Sequence, residues 1–174
     1  MTATTASLEL RELCAYWERK RGARFAPSRP DIQPEEIRRL LPYLLLLDLI
    51  GEPTRFRYRL VGTGVTALYG REVTGAFVDE VDHSDLQWML EADCITVATE
   101  QRPVFRLWDR IGKDDRSISH ERLLLPLSKD GRSVDMLMGG EISRVRPAGR
   151  PSSTAGGKAV PGVADLGGNT PNLC

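Results

Sequence analysis

Residues 118–128 and 133–144 read as two β-tracts joined by Ser128-Lys129-Asp130-Gly131. An Asp-Gly step between such tracts signals a tight antiparallel hairpin. A third tract spans 104–111, with no helix between it and the pair. Three successive strands of this kind do not build alternating βαβ units, so an antiparallel sheet is expected. Upstream, Tyr43 to Ile50 is a continuous apolar strand candidate, and Phe56, Tyr58 and Leu60 alternate with Arg57, Arg59 and Val61 as a half-buried strand does. Between the two groups, 62–70 reads as a short helical turn. Leu86, Met89, Leu90, Ile95, Val97 and Ala98 then mark a longer helix over 85–99. The order predicts an α+β fold.

The ends differ from this middle. Ser7 is placed to cap a helix over 7–21, in which Leu10, Leu13, Cys14 and Trp17 follow helical spacing. Arg19, Lys20 and Arg21 suit the negative end of its dipole, and Gly22 can terminate it. Residues 27–34 read as extended connection, and Pro34-Glu35-Glu36 opens a short helix that ends before Pro42. From Pro147 to Cys174 there is no aromatic residue, and ten of 28 positions are Gly or Pro, so a flexible tail is expected. The domain plan is therefore a helical extension over 1–41, a sheet domain over 42–146 and a tail over 147–174.

Composition removes several functions. With 24 Lys+Arg against 24 Asp+Glu, the 174-residue chain lacks the basic excess of a general nucleic-acid binder. Cys14, Cys94 and Cys174 are too few and too scattered for a disulfide framework or a Cys-rich zinc site. No apolar run approaches the ~20 residues of a membrane span. The N-terminus lacks the basic start and apolar core of a secretory leader. A reducing, cytoplasmic setting is the expectation.

The run Leu68-Tyr69-Gly70-Arg71-Glu72-Val73-Thr74-Gly75-Ala76-Phe77 resembles the PAS domain signature, in which a short helix ends in an aromatic-Gly pair and a second Gly follows. The long helix, the strand at 104–111 and the final hairpin fit as well. The segment from Tyr16 to Ile32, followed by Leu41 to Leu49, is similar to a bacterial branch of single-PAS-domain proteins with an N-terminal helical extension. The resemblance covers 8–146. It implies a five-stranded antiparallel sheet flanked by short helices, and a sensory role in signalling. Independently of it, Gly70 and Gly75 bracket a reversal from helix to extended chain that asks for positive φ, a structural role.

Catalytic and cofactor motifs are scarce. Gly62-Thr63-Gly64-Val65-Thr66-Ala67 matches G-x-G-x-x-G/A after a strand, but its helix ends at Gly70 and no parallel strand follows, so it reads as a strand-to-helix turn. His83 and His120 lack partners at metal-ligand spacing. His83 reads as turn chemistry, with haem ligation as the alternative, and His120 as an ordinary strand position. Cys94 reads as a buried thiol. The reactive Cys motif of flavin-binding PAS relatives is missing. No cofactor or metal is indicated, and no enzyme activity is expected.

Two surfaces stand out. Arg106, Trp108 and Arg110 fall on one strand face and, with Leu10, Leu13 and Trp17 of the first helix, are candidates for an interaction face. Phe56, Tyr58, Leu60, Phe105, Leu107, Met136 and Met138 are candidates to line a small cavity against the helices. Between Glu72 and Glu100 lie eight acidic residues and no basic one, so the neutral total conceals separated charge. The expected function is a non-catalytic sensory or interaction module that signals through a protein partner or as a homodimer. The alternative is a sensor of haem, flavin or an apolar metabolite held in that cavity.

Overall fold

The computed structural model describes residues 6–81, 87–111 and 116–145. The tail expected over 147–174 and the turn around His83 lie outside the described residues.

Helix α1 (Leu8–Arg21) forms where the apolar stripe predicted it and ends at Gly22, whose φ is 56°. Ser7 does not cap it through its side chain. Its backbone N–H instead donates to the Glu121 carboxylate at 2.6 Å. Within the segment expected to be extended, Arg29–Asp31 folds into a short 3-10 turn; the short helix expected from Pro34 forms as a 3-10 turn at Pro34–Ile37, and a further one follows at Leu41–Tyr43. The first is held at its start by Asp31, whose carboxylate accepts from the backbone N–H and the hydroxyl of Ser28. Strand β1 (Leu44–Ile50), β2 (Arg55–Val61), helix α2 (Thr63–Tyr69), helix α3 (Gln87–Glu100), β3 (Val104–Ile111), β4 (Ser117–Leu127) and β5 (Met136–Val145) complete the chain.

The five strands form one antiparallel sheet in the order β2-β1-β5-β4-β3, so the last hairpin supplies the two strands inside β3 and β1. That hairpin is wider than the Asp-Gly step predicts. Residues 128–135 form a loop in which Asp130 accepts the N–H groups of Arg132 and Ser133 at 2.8 and 2.9 Å. The aspartate acts as a local loop organiser rather than as half of a two-residue turn.

Both faces of the sheet are covered. On one, Leu10, Leu13, Tyr16 and Trp17 of α1 pack with Leu44, Leu46, Leu123, Leu125, Met136, Met138 and Ile142. Trp17 Nε1 donates to the Pro126 carbonyl at 2.8 Å, so the buried indole is satisfied. The helix can lie this close because a Cβ at Gly140 would meet Leu10 and Leu13 at 2.6 and 2.9 Å. On the other face, Leu45, Leu47, Phe56, Tyr58, Leu124 and Leu137 pack with Leu90, Cys94 and Val97 of α3. The N-terminal residues set apart as an extension thus share a core with the sheet. Cys94 is a buried free thiol.

The G-x-G tract has a steric reason. A Cβ on Gly62 would collide with the backbone carbonyls of Leu41 and Pro42, so β2 can enter α2 only through glycine. Gly70 ends α2 at φ 71°, and Gly75 has φ 90°. This turn brings the next residues back along β2: Gly75 N–H donates to the Tyr58 carbonyl, Tyr58 N–H to the Ala76 carbonyl, and Arg57 bridges Phe77.

Candidate functional site

Alternation along β3, β4 and β5 sends charged side chains inward towards α3. Arg106 of β3 stands opposite Arg122 of β4, which stands opposite Glu141 of β5. One step along, Trp108, His120 and Ser143 make a second cross-strand row. From above, α3 contributes Asp93 and α2 contributes Tyr69.

These groups meet in a buried network. Asp93, Arg122 and Glu141 are 2–3 % exposed. Asp93 is gripped by Arg106, which donates from Nε at 2.7 Å and from a second nitrogen to the other oxygen. Arg122 donates to the same carboxylate at 3.3 Å. Tyr69 donates its hydroxyl to Glu141 at 2.8 Å, and its ring meets Tyr58 edge-on at 6.2 Å. Trp108 stacks on His120 with ring centroids 5.2 Å apart, and the Arg122 guanidinium lies 5.0 Å from the indole centroid. His120 Nε2 accepts from Arg110 at 2.7 Å, which assigns the ring proton to Nδ1, where Ser143 Oγ is the acceptor at 2.5 Å.

Burial sets the protonation pattern. Desolvation raises the Glu141 carboxyl, opposed by the Arg122 charge and the Tyr69 hydroxyl. Desolvation, aided by Arg110 and Arg122, holds His120 down at about 4, so the imidazole is neutral at physiological pH. Desolvation also raises the hydroxyls of Tyr58 and Tyr69 and the Cys94 thiol, leaving all three protonated. Two buried donors, Arg122 Nε and Trp108 Nε1, have no hydrogen-bond partner among the described residues. Both ring nitrogens of His120 are occupied, and Cys94 is an inert thiol, so no nucleophile–base pair is assembled here. Among the described residues no three His, Cys, Asp or Glu side chains converge as a metal site.

A separate cleft of about 260 Å³ opens at the far end of the sheet, between the β1–β2 connection, the end of α3 and the 128–135 loop. Leu49, Phe56, Ala98 and Val134 line it, with Thr54, Thr99, Gln101 and Ser133 among its polar groups. Gln101 holds φ 54° and ties α3 to the loop by donating to the Arg132 carbonyl at 2.6 Å.

The sequence candidates are split by the sheet. Phe56 and Tyr58 face α3, and Phe56 reaches the cleft. Phe105, Met136 and Met138 lie on the α1 face. Leu107 follows Phe105 in strand parity, and Leu60 is 41 % exposed. The seven do not line one cavity. The cause at Leu60 is a β-bulge: Leu47 pairs with Tyr58 but Leu46 with Leu60, leaving Arg59 as the extra residue. Arg106, Trp108 and Arg110 do share a face, but it is the one beneath α3, where Trp108 is buried and both arginines have partners. Leu10, Leu13 and Trp17 are spent on the chain's own sheet. Neither group is an open interaction surface in this structure. Asp93, Arg122 and Glu141 escape the sequence reading, and Tyr69 enters it only as the aromatic of the aromatic-Gly pair. The available signal was charge interrupting apolar strands, Arg122 before Leu123-Leu124-Leu125 and Glu141 after Met138-Gly139-Gly140.

No curated protein matches the chain. Among solved structures, it is similar to the PAS domain from Bordetella pertussis BvgS, at 21% identity over 66% of this chain and 88% of that one, with a TM-score of 0.48. It is also similar to the Rhodobacter sphaeroides LOV protein, at 14% identity over 70% of this chain and 71% of that one, with a TM-score of 0.44. Likeness at this level says nothing of ligand or partner. Among the described residues no helix is long and apolar enough to cross a membrane. A family model described as PAS domain matches residues 5–141, a span that takes in α1 as well as the sheet. PAS domains are sensory signalling modules, generally without catalysis of their own. By that match, and with a five-stranded antiparallel sheet that carries helices on its face, the chain belongs to the PAS domain family.

Proposed function

We propose that the chain is a non-catalytic cytoplasmic sensor whose input is taken at the buried polar network beneath α3 and whose output passes by protein–protein contact through α1. One observation carries this reading: β4 and β5 bear the network on one face and seat α1 on the other. Arg122 and Glu141 alternate with the residues α1 rests on. Glu121 accepts from Ser7, Arg144 pairs with Glu9 at 2.7 Å, and Leu10 and Leu13 sit over Gly140. A change in the network therefore needs to cross only one layer of backbone to disturb the helix. Release of α1 would expose an apolar stripe and an apolar sheet face together, the ordinary make-up of a self-association or docking surface.

Removal of residues 1–22 tests the output half. The expected result by light scattering is a change in oligomeric mass or a loss of solubility, because Leu123, Leu125, Met136 and Met138 lose their cover. An unchanged monomer would remove the role assigned to α1. The absorption spectrum and native mass of the purified full chain test the input half, since a coloured cofactor or a retained small molecule would register directly.

A further inference from the structure

The cleft at the far end of the sheet shares no residue with the buried network, and its walls stand ready-made. Gln101 closes α3 at φ 54°, where glycine is usual, and its amide donates to the Arg132 carbonyl at 2.6 Å. The facing loop is fixed from within: Asp130 accepts from the hydroxyls of Ser128 and Ser133 as well as from two backbone N–H groups. A non-glycine residue held in the left-handed region costs stability, and such strain gathers at binding sites.

Size and lining narrow the occupant. About 260 Å³ falls below the roughly 300–1,000 Å³ of pockets that enclose a whole small molecule, and this cleft is open to the surface. A pocket of that kind suits the anchor side chain of a protein partner. Leu49, Phe56, Ala98 and Val134 make an apolar floor, and no lining residue is charged. Ile95, 48 % exposed, stands among the lining groups as a large apolar side chain without full cover. The charges nearby cancel in sets. Arg102 pairs with Glu100, Arg55 with Asp79 and Glu80, and the loop carries Lys129 and Arg132 against Asp130 and Asp135. Left over are Glu52, two residues before Thr54, and Glu91, one helical turn before Ile95. Neither forms an ion pair among the described residues. An uncharged socket with a spare carboxylate on α3 and another on the β1–β2 connection is complementary to an apolar side chain that has cations beside it.

We propose that this cleft is a docking socket for a protein partner that presents one large apolar side chain flanked by Lys or Arg. It lies apart from α1 and gives the module a second contact surface.

The test titrates the full chain with short peptides in which leucine or alanine is flanked by lysine or by glutamate, followed by amide NMR shifts. The lysine-flanked leucine peptide is expected to shift Ile95, Thr99, Gln101 and Val134 saturably. Its alanine counterpart should bind about tenfold more weakly or worse, the effect of losing a buried aliphatic side chain. Ile95→Lys, at an exposed position, should weaken the leucine peptide at least as much, and Glu91→Gln by about threefold with a flatter salt dependence. Should Ile95→Lys fail to fold, the peptide series on the parent chain decides. The proposal is overturned if leucine and alanine peptides bind alike, if glutamate flanks bind as well as lysine, or if no peptide shifts those amides. It also falls if phenol alone fills the cleft as tightly as the peptide, which would make it a small-molecule pocket. A concentration-dependent dimer that Ile95→Lys abolishes would assign the socket to a second copy and overturn it as well.

Discussion

The two faces of this sheet solve the same burial problem by different chemistry. The α1 face is sealed mainly with leucine, methionine and aromatic side chains around the satisfied ring of Trp17. Its charged contacts, Ser7 N–H to Glu121 and Arg144 to Glu9, involve the first residues of the helix and the one before it. The α3 face begins in the same way around Leu45, Leu47 and Val97, but over β3, β4 and β5 it gives way to arginines and carboxylates. An apolar seal tolerates imperfect geometry, since its attraction is non-directional. A buried charge network is stable only while each charge keeps its partner, so one loss is felt by all. The first face is built to stay shut, and the second is built to notice a change.

Substitutions on each face sharpen that contrast. Trp17→Ala should be the most damaging, at about 3–5 kcal/mol by chemical denaturation, because it removes a fully buried ring and orphans the Pro126 carbonyl. A loss below about 1 kcal/mol would mean that α1 is not part of the stable core. Asp93→Asn should destabilise by about 3 kcal/mol, because it keeps the volume but leaves Arg122 and Arg106 without their common anion. Near-neutral behaviour would show that the network is solvated and not buried. Smallest is the pH effect. His120 titrates at about 4 when folded and near its ordinary value when unfolded, so the unfolded chain binds the extra proton first. Stability should fall as pH drops from about 6.5 towards 4, by on the order of 2 kcal/mol, and His120→Gln should flatten that slope. An unchanged slope in the variant would assign the acid sensitivity elsewhere.

Most of the fold is visible in the pattern of residues. Each strand and helix has a local period, and α1 even displays its termination signals at Arg19 to Gly22. The site was less legible, for two physical reasons. Apolar alternation tells that side chains face opposite ways but not which layer each way leads to, and here both layers are apolar. That is why Met136 and Met138, which rest under α1, read equally well as neighbours of Tyr58. A bulge leaves no mark on composition either, so the Arg59 insertion hid the reversal between Tyr58 and Leu60. Arg122 and Glu141 carry the types normally found in solvent, and only their contact across the strands shows otherwise.

The turn at Gly75 has a consequence for how copies of this chain can meet. By laying residues 75–77 along β2, it occupies hydrogen-bonding groups that an edge strand would otherwise offer to a neighbour. Among the described strands, β2 is thereby covered at Arg57 and Tyr58, while β3 at the other end of the sheet has no strand beside it. That edge starts after Pro103 and carries Arg106, Asp109 and Arg110, residues that discourage fibre-like addition. With β2 interrupted at its middle and β3 carrying charge, neither end of the sheet offers a long, flat run of free backbone groups to a second copy.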